Sequence, residues 1–135
     1  MEPFPVTLEV SVAASAQSVP DLRIERIETI PVRVRLDRVY KGSHYKMTHR
    51  STIITRVYTA SGIVGEAYAG DEDAGLGEID GIIHKEIAPK LIGEDAFAIE
   101  RCWELARPAT WDILRDRRLG LVATACVDVA STRST

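Results

Sequence analysis

The spacing of the apolar residues changes once along this chain, near residue 70, and that change constrains the fold. Before it, β-branched residues alternate with polar ones, as they do on half-buried strands. After it, apolar residues recur at helical spacing. A group of strands followed by a group of helices is typical of the α+β class. The sequence therefore predicts a small antiparallel sheet followed by a helical layer.

The first strand is predicted over residues 22–36, where alternate positions are apolar: Ile30, Val32, Val34 and Leu36. Ile24 and Ile27 break this alternation, so a bulge or bend is expected near Glu25 and Arg26. Pro31 lacks a backbone N–H donor, which places the strand at an edge of the sheet.

The second strand is predicted over residues 51–60, which are rich in Thr, Ile and Val. Ser61 and Gly62 give a tight turn into a third strand over residues 63–69. Together the three strands form a three-stranded antiparallel meander.

An acidic, glycine-rich loop over residues 70–77 separates the strands from the first helix. Its spacing fails the calcium pattern of an EF-hand, and it lacks the Gly-Lys-Ser/Thr ending of a phosphate-binding loop. We expect a polar loop that caps the next helix. Pro89 and Gly93 are expected to stop that helix, whose apolar stripe is Ile79, Ile82, Ile83 and Ile87.

Two further helices complete the predicted subdomain. Asp95 is the expected N-cap of one, which ends at Pro108 and turns one apolar side inward: Phe97, Cys102, Trp103, Leu105 and Ala106. Thr110 or Asp112 opens the other, whose stripe is Leu119, Val122, Ala123, Cys126 and Val129. The two cysteines are expected to be reduced core residues, because neither has a second Cys or a His nearby.

Length and charge exclude several classes of function. The chain has 135 residues, whereas a (β/α)8 barrel needs about 200 or more. A net charge of −3 argues against nucleic-acid binding, and the short basic cluster Arg115–Arg118 is expected to be a solvated helix face. No apolar run approaches the length of a membrane span, so a cytoplasmic location is expected.

Residues 37–50 are predicted to be a loop of unusual composition, because they show no apolar periodicity. Three of its side chains could act as acid–base groups: His44, Lys46 and His49. Together with the tyrosines Tyr40 and Tyr45, they could instead form a ligand-binding wall, or simply an exposed polar loop. The remaining histidine, His84, is expected on the solvated side of its helix.

Three short motifs, in the order in which they occur along the chain, resemble the N-terminal cap of the mandelate racemase/muconate-lactonizing group of the enolase superfamily. The strand motif Gly62–Ala67 is similar to that group's glycine–x–x–glycine–glutamate strand. Residues 87–95 resemble its link between the first two helices, and residues 123–130 resemble the run that leads out of the cap. The resemblance covers residues 22–130. It leaves residues 1–21 as an N-terminal extension, which is expected to be disordered, and residues 131–135 as a tail without family character.

The resemblance implies an enzyme with two domains, an α+β cap and a barrel. Such enzymes abstract a proton next to a carboxylate, with Mg²⁺ and the bases held by the barrel. Two cap loops, here residues 37–50 and 68–75, would close over the substrate. The implied substrate-binding residues are Tyr40, Lys41, His44, Tyr45, Lys46, His49 and Tyr68.

We therefore expect the cap of a Mg²⁺-dependent racemase or dehydratase of a hydroxy or sugar acid, truncated before its barrel. On this interpretation the chain alone binds no cofactor, holds no catalytic residue and is inactive. The alternative is a non-catalytic α+β module that binds a partner or forms a homo-oligomer. Its interface would be an exposed apolar face around Leu119, Val122, Cys126 and Val129.

Overall fold

A computed structural model describes residues 19–133, and these form one sheet covered on one face by helices. The sheet is antiparallel, with strand order β1-β2-β3, and its strands are β1 Ile24–Lys41, β2 Lys46–Thr59 and β3 Val64–Tyr68. The predicted three-stranded meander is therefore confirmed. The extension predicted over residues 1–21 lies, up to residue 18, outside the described residues.

The first strand has the two irregular features that its sequence indicates. The pairing of β1 with β2 shifts register between Ile24 and Arg26, so the predicted bulge is confirmed. Pro31 lies on β1, which is an edge strand, as predicted. An edge strand pairs on one side only, so a residue without an N–H is tolerated there.

The prediction of a loop over residues 37–50 is wrong. Strand β1 continues to Lys41 and β2 begins at Lys46, so only residues 42–45 form the turn of a long hairpin. A second register shift, between Arg35 and Tyr40, interrupts the pairing. These residues show no apolar alternation because neither face of this end of the hairpin is buried in a core. The ladder hydrogen bonds alone extend the strands there.

The helical layer follows the sheet in three units. The first is a continuous run of α1 Leu76–Ile82, a π-helical segment Ile83–Ile87 and α2 Ala88–Leu91. The second is α3 Ile99–Ala106, which continues into a 3₁₀ turn Arg107–Thr110, and the third is α4 Arg117–Thr132. Pro89 does not stop the first run, because it occupies a first-turn position of α2 where its N–H is not needed. Gly93, with a φ of +89°, follows the end of the run.

Two of the predicted helix caps are wrong. Asp95 accepts a hydrogen bond from the Phe97 backbone N–H at 2.9 Å, and α3 begins only at Ile99. The last helix is opened by Asp116, whose side chain accepts from the Arg118 N–H at 2.9 Å, and not by Thr110 or Asp112. In both cases several side-chain acceptors lie near the start of the helix. The path of the backbone before the helix decides which of them reaches the free N–H groups of its first turn.

One apolar core lies between the sheet and the helices. Its fully buried members come from β1, β2, the first helical run and α4: Ile24, Ile53, Val57, Ile79, Ile83, Ile87, Leu91 and Val127. All four isoleucines of the predicted first stripe are buried there. Phe97, Trp103 and Val129, which were expected in the core, are 73%, 44% and 41% exposed.

The strand motif of residues 62–66 has a physical reason at each of its three fixed positions. Gly62 adopts a φ of +86° in the turn, a conformation that costs other residues about 1–2 kcal/mol. Gly65 lies so close to the end of α4 that a Cβ would be 1.8 Å from the Ala130 carbonyl oxygen. Glu66 Oε2 accepts from Arg56 Nε at 2.5 Å on the opposite face of the sheet.

Both cysteines are free and buried, as predicted. Burial raises the pKa of the Cys126 thiol, and it raises that of Cys102 as well. Within residues 19–133, no helix is both long and apolar enough to cross a bilayer.

Candidate functional site

The tip of the β1–β2 hairpin collects most of the residues that the sequence singles out. We define the tip as residues 40–46: Tyr40 pairs with Met47 and Lys41 with Lys46 across the ladder. The Gly42 N–H donates to the Tyr45 carbonyl at 3.0 Å and closes the turn. A Cβ at Gly42 would be 2.2 Å from the Tyr45 ring, so the absence of a side chain lets that ring lie against the backbone of the turn.

The tip presents donors and aromatic rings to solvent. The Tyr40 and Tyr45 rings are 43% and 61% exposed, and Lys41, His44 and Lys46 are exposed beside them. The Arg38 guanidinium lies 4.7 Å from the centre of the Tyr40 ring and adds a third cation. A surface of this kind can bind a polar anion through ammonium, imidazole and phenol groups.

The structure separates His49 and Tyr68 from the tip. His49 is half-buried on β2, where its Nδ1 lies 2.8 Å from the Thr48 hydroxyl. Tyr68 ends β3 and is 80% exposed. Of the seven predicted binding residues, the structure brings five together at the tip and places these two further along the sheet.

Tyr68 instead lines a cavity of about 300 Å³ near the start of the acidic loop. The cavity is lined by Val32, Val34, Arg50, Ser51, Thr52, Tyr68, Ala69, Gly70 and Asp71. Its volume is at the lower end of the range for ligand pockets, and its walls are mainly apolar with one cation and one carboxylate. Within the described residues, its lining includes none of the tip.

The acidic loop, residues 70–75, is hydrogen-bonded to the base of the same hairpin. The Ser51 N–H donates to Asp71 Oδ1 at 2.9 Å, and the Ser51 hydroxyl donates to Asp73 Oδ1 at 2.7 Å. Arg33 Nε donates to the same Asp73 oxygen at 2.9 Å, and Arg50 pairs with Asp71 at 3.3 Å. The hydrogen bond from Ser51, followed by that from Arg33, lowers the pKa of the Asp73 carboxyl.

The predicted role of this loop as a helix cap is wrong. Gly75 is the N-cap of α1, and no side-chain cap hydrogen bond forms there. The carboxylates turn to the sheet and to α4 instead, where Arg118 pairs with Glu72 at 2.5 Å. The contact of Ser51 with Asp71 and Asp73 was not predicted from the sequence. The two aspartates two positions apart were the available signal, since alternate residues of an extended segment face the same neighbour.

The basic cluster is also only partly solvated. Arg115 donates two hydrogen bonds to the Glu86 carboxylate, at 2.5 and 3.0 Å, and its side chain is 18% exposed. His84 is exposed, as expected, and its Nε2 lies 2.5 Å from the Thr29 hydroxyl. Both contacts join the helical layer to other parts of the domain and lie outside the candidate site.

These residues fit binding better than catalysis. Within residues 19–133, no three His, Cys, Asp or Glu side chains converge closely enough to hold a metal ion. Mg²⁺ requires several oxygen ligands in octahedral geometry, so the described residues do not fit a magnesium site. His44 and Lys46 can donate to a ligand, whereas the carboxylates of the acidic loop lie further along the hairpin and are engaged by Ser51, Arg33 and Arg50.

Comparison with known proteins gives one family. The profile of the mandelate racemase/muconate lactonizing enzyme N-terminal domain matches residues 26–132. A comparison with curated protein sequences finds no match.

Solved structures are similar to the chain over most of its length. A mandelate racemase/muconate lactonizing enzyme is 61% identical, with a TM-score of 0.80, over 82% of this chain and 30% of its own. A second, from a marine actinobacterium and in complex with magnesium, is 54% identical, with a TM-score of 0.68, over 82% of this chain and 28% of its own. A racemase from Streptomyces coelicolor with bound magnesium is 26% identical, with a TM-score of 0.67, over 80% of this chain and 30% of its own. The chain thus spans about 30% of the length of these relatives.

Proposed function

The chain belongs to the mandelate racemase/muconate lactonizing enzyme family through its N-terminal domain, and on that premise we propose that it is the substrate-closing cap of such an enzyme. The proposed enzyme is a Mg²⁺-dependent racemase or dehydratase that acts on a hydroxy acid or a sugar acid. The described residues do not fit a magnesium site, and the family resemblance implies that the barrel of such an enzyme holds the metal and the bases.

The observation that supports this role most directly is the joining of two segments at one end of the sheet. The family resemblance assigns residues 37–50 and 68–75 to substrate closure. Arg50 pairs with Asp71 at 3.3 Å, and the next residue, Ser51, donates to Asp71 and Asp73 at 2.9 and 2.7 Å. A cap that must surround one substrate needs its contacting segments to keep a defined relative position.

In the proposed mechanism this chain binds and orients the substrate but does not transfer its α-proton. The Lys46 ammonium and the His44 imidazole donate to oxygens in the distal part of the acid, and the Tyr45 ring covers it. Closure of the hairpin over the substrate excludes water, which strengthens these hydrogen bonds. Side-chain hydrogen bonds of this kind contribute roughly 0.5–3 kcal/mol each, depending on charge.

The test is a fusion of this chain to the part of the 61%-identical relative that follows the matching segment. Turnover and α-proton exchange in D₂O would be measured on a panel of hydroxy acids and sugar acids, with and without a chelator. We expect Mg²⁺-dependent exchange by the fusion and none by the 135-residue chain alone. A folded fusion without exchange on any acid contradicts the proposal.

A variant of the fusion separates binding from chemistry. His44→Ala is expected to lower kcat/KM about tenfold while exchange at the α-carbon persists, because a substrate contact is lost and the base remains. His84→Ala is the matched control, since it removes an exposed histidine whose contact is with Thr29, near the start of β1 and away from the tip. Complete loss of exchange in folded His44→Ala would assign that histidine a catalytic role instead.

Self-association is a second candidate function, supported by a different observation. The apolar face predicted around Leu119, Val122, Cys126 and Val129 is largely covered, because Leu119 and Cys126 are buried in the core and Val122 is partly buried, whereas Val129 is 41% exposed. Instead, large apolar side chains are exposed around the α3–α4 connection, by 44–93%: Trp103, Trp111, Ile113, Leu114 and Leu121. Two of these rings flank the Arg107 guanidinium at 5.3 and 5.4 Å.

Large exposed apolar patches on a protein surface mark interaction sites. We expect the chain to sediment as a dimer or larger species at about 100 micromolar, and Leu114→Ser to shift it toward monomer. The control is Ser43→Ala in the hairpin turn, far along the sequence from this surface. A monomer in the unsubstituted chain at that concentration contradicts self-association.

A further inference from the structure

The contacts of the acidic loop also define which part of the candidate site is fixed. The loop is held from three directions: by Arg33 on β1, by Ser51 on β2, and by Arg118 on α4 through Glu72. The Glu72 N–H also donates to the Ser51 carbonyl at 3.0 Å. Ser51 therefore contacts the loop through its N–H, its hydroxyl and its carbonyl. A segment with these contacts is held in place and does not move as a separate lid.

The hairpin extends well beyond these contacts. Ser51 lies five positions after Lys46, where β2 begins, so the tip lies roughly 17 Å beyond the contacts at about 3.3 Å per residue. Between them the ladder is interrupted, because the register shifts between Arg35 and Tyr40. Four residues of β1, 36–39, there oppose the single residue Thr48. An interrupted ladder is the weakest point of a ribbon and the place where it bends most easily.

From this arrangement we propose that Asp73 is a positioning residue that sets the hinge of the hairpin. By binding Ser51 and Arg33, Asp73 fixes the hairpin up to Arg35 against the acidic loop. The bending segment is then confined to residues 36–48. Only the tip then moves to close over the substrate, while the acidic loop stays in place. The inference rests on the proposed function for its consequence, since the tip is taken to contact substrate.

The geometry of Asp73 favours this role over a local turn. One of its oxygens, Oδ1, accepts hydrogen bonds from both Ser51 on β2 and Arg33 on β1. Ser51 and Arg33 are direct partners in the β1–β2 ladder. A single carboxylate therefore holds a cross-strand pair and the loop together. Its removal would weaken the attachment of the loop to both strands and leave the backbone hydrogen bonds of Ser51 and the Arg50–Asp71 pair to hold the loop on the hairpin.

Amide hydrogen exchange of the 135-residue chain tests the hinge without requiring activity. The two reporters are the N–H groups of Ser51 and Glu72, whose acceptors belong to the other segment. In Asp73→Ala we expect both rates to rise together, about tenfold. The Ala69 N–H, which donates to Ile53 at 3.0 Å, should be unchanged. Asp73→Asn keeps the acceptor oxygen and should restore both rates to within about threefold of the unsubstituted chain.

A matched control is Asp112→Ala, which removes an aspartate that accepts from a nearby backbone N–H at 2.9 Å on another surface. It should leave both reporters unchanged. Unchanged rates in Asp73→Ala, or a rise at Glu72 alone, would overturn the proposal, because the loop would then fluctuate separately from the hairpin.

The fusion enzyme tests the consequence for binding. Asp73→Ala is expected to raise KM about tenfold with kcat nearly unchanged, and Asp73→Asn to restore KM. A fall in kcat with constant KM would overturn the positioning role. If the unsubstituted fusion is folded but inactive, the proposed function fails, and the exchange rates still decide whether Asp73 sets the hinge.

Discussion

The close approach of α4 to β3 makes Gly65→Ala a demanding test of the fold. A Cβ at this position would lie 1.8 Å from the Ala130 carbonyl oxygen and 2.6 Å from that of Arg133. Cβ atoms are essentially never found within 3.0 Å of another heavy atom, so the helix end must retreat by more than 1 Å. Both obstructing atoms are backbone atoms and cannot rotate away as a flexible side chain would.

The cost follows from what the retreat disturbs. Ala130 is fully buried, and the Glu66 N–H donates to the Arg133 carbonyl at 3.1 Å, so the packing and a hydrogen bond are both strained. Overpacking typically costs about 1–3 kcal/mol, and a backbone hydrogen bond contributes about 1 kcal/mol. We therefore expect the free energy of unfolding to fall by about 3 kcal/mol, a large part of the stability of a small domain.

Urea denaturation followed by circular dichroism measures this loss. The matched control is Gly77→Ala in α1, where a Cβ meets nothing within 4 Å. There the substitution should stabilise the chain by about 0.5–1 kcal/mol, because alanine has the higher helix propensity. If Gly65→Ala unfolds within about 0.5 kcal/mol of the unsubstituted chain, the explanation of the second glycine of the motif is refuted.

Three further outcomes are expected. The hydrogen bonds from Arg115 lower the pKa of Glu86, so the unfolded chain binds more protons below about pH 4.5 and stability falls as the pH is lowered through that range. Glu86→Gln should lose less stability on acidification, measured by urea denaturation at several pH values. Thr55→Val should stabilise the chain by about 1 kcal/mol in thermal unfolding. Within the described residues, the Thr55 hydroxyl is buried beside the Cys126 thiol without a good hydrogen bond. Gly62→Ala should lower the unfolding free energy by about 1–2 kcal/mol, because its φ is positive; an unchanged midpoint would contradict this.

The regular core was predictable because periodicity reports burial directly. The second strand, predicted from its β-branched residues, and the four isoleucines of the first helical run were both predicted correctly. Ile53 and Val57 of β2 lie with those isoleucines in the single core. The bulge near Arg26 and the edge position of Pro31 also follow from local rules, since each breaks a repeating pattern at a known position.

The hairpin beyond residue 36 was not predictable by the same means. Its strands are exposed on both faces, so no apolar alternation records them, and the ladder hydrogen bonds that form them are the same for every side chain. The composition of the tip still indicated a binding surface. The grouping of its residues and the separation of His49 and Tyr68 from it depend on the turn at Gly42 and on the length of β1.

Local pattern and spacing were enough to establish the α+β class, the order of the elements, the buried stripe of the first helical run and the family. The role of the acidic loop depends instead on how the domain packs. Asp71 and Asp73 could have capped α1, bound a cation or remained in solvent. They bind Ser51 because the meander brings the base of the hairpin to within 3 Å of the loop. A contact between residues 20 positions apart is set by the path of the chain, and that path is a property of the whole packed domain.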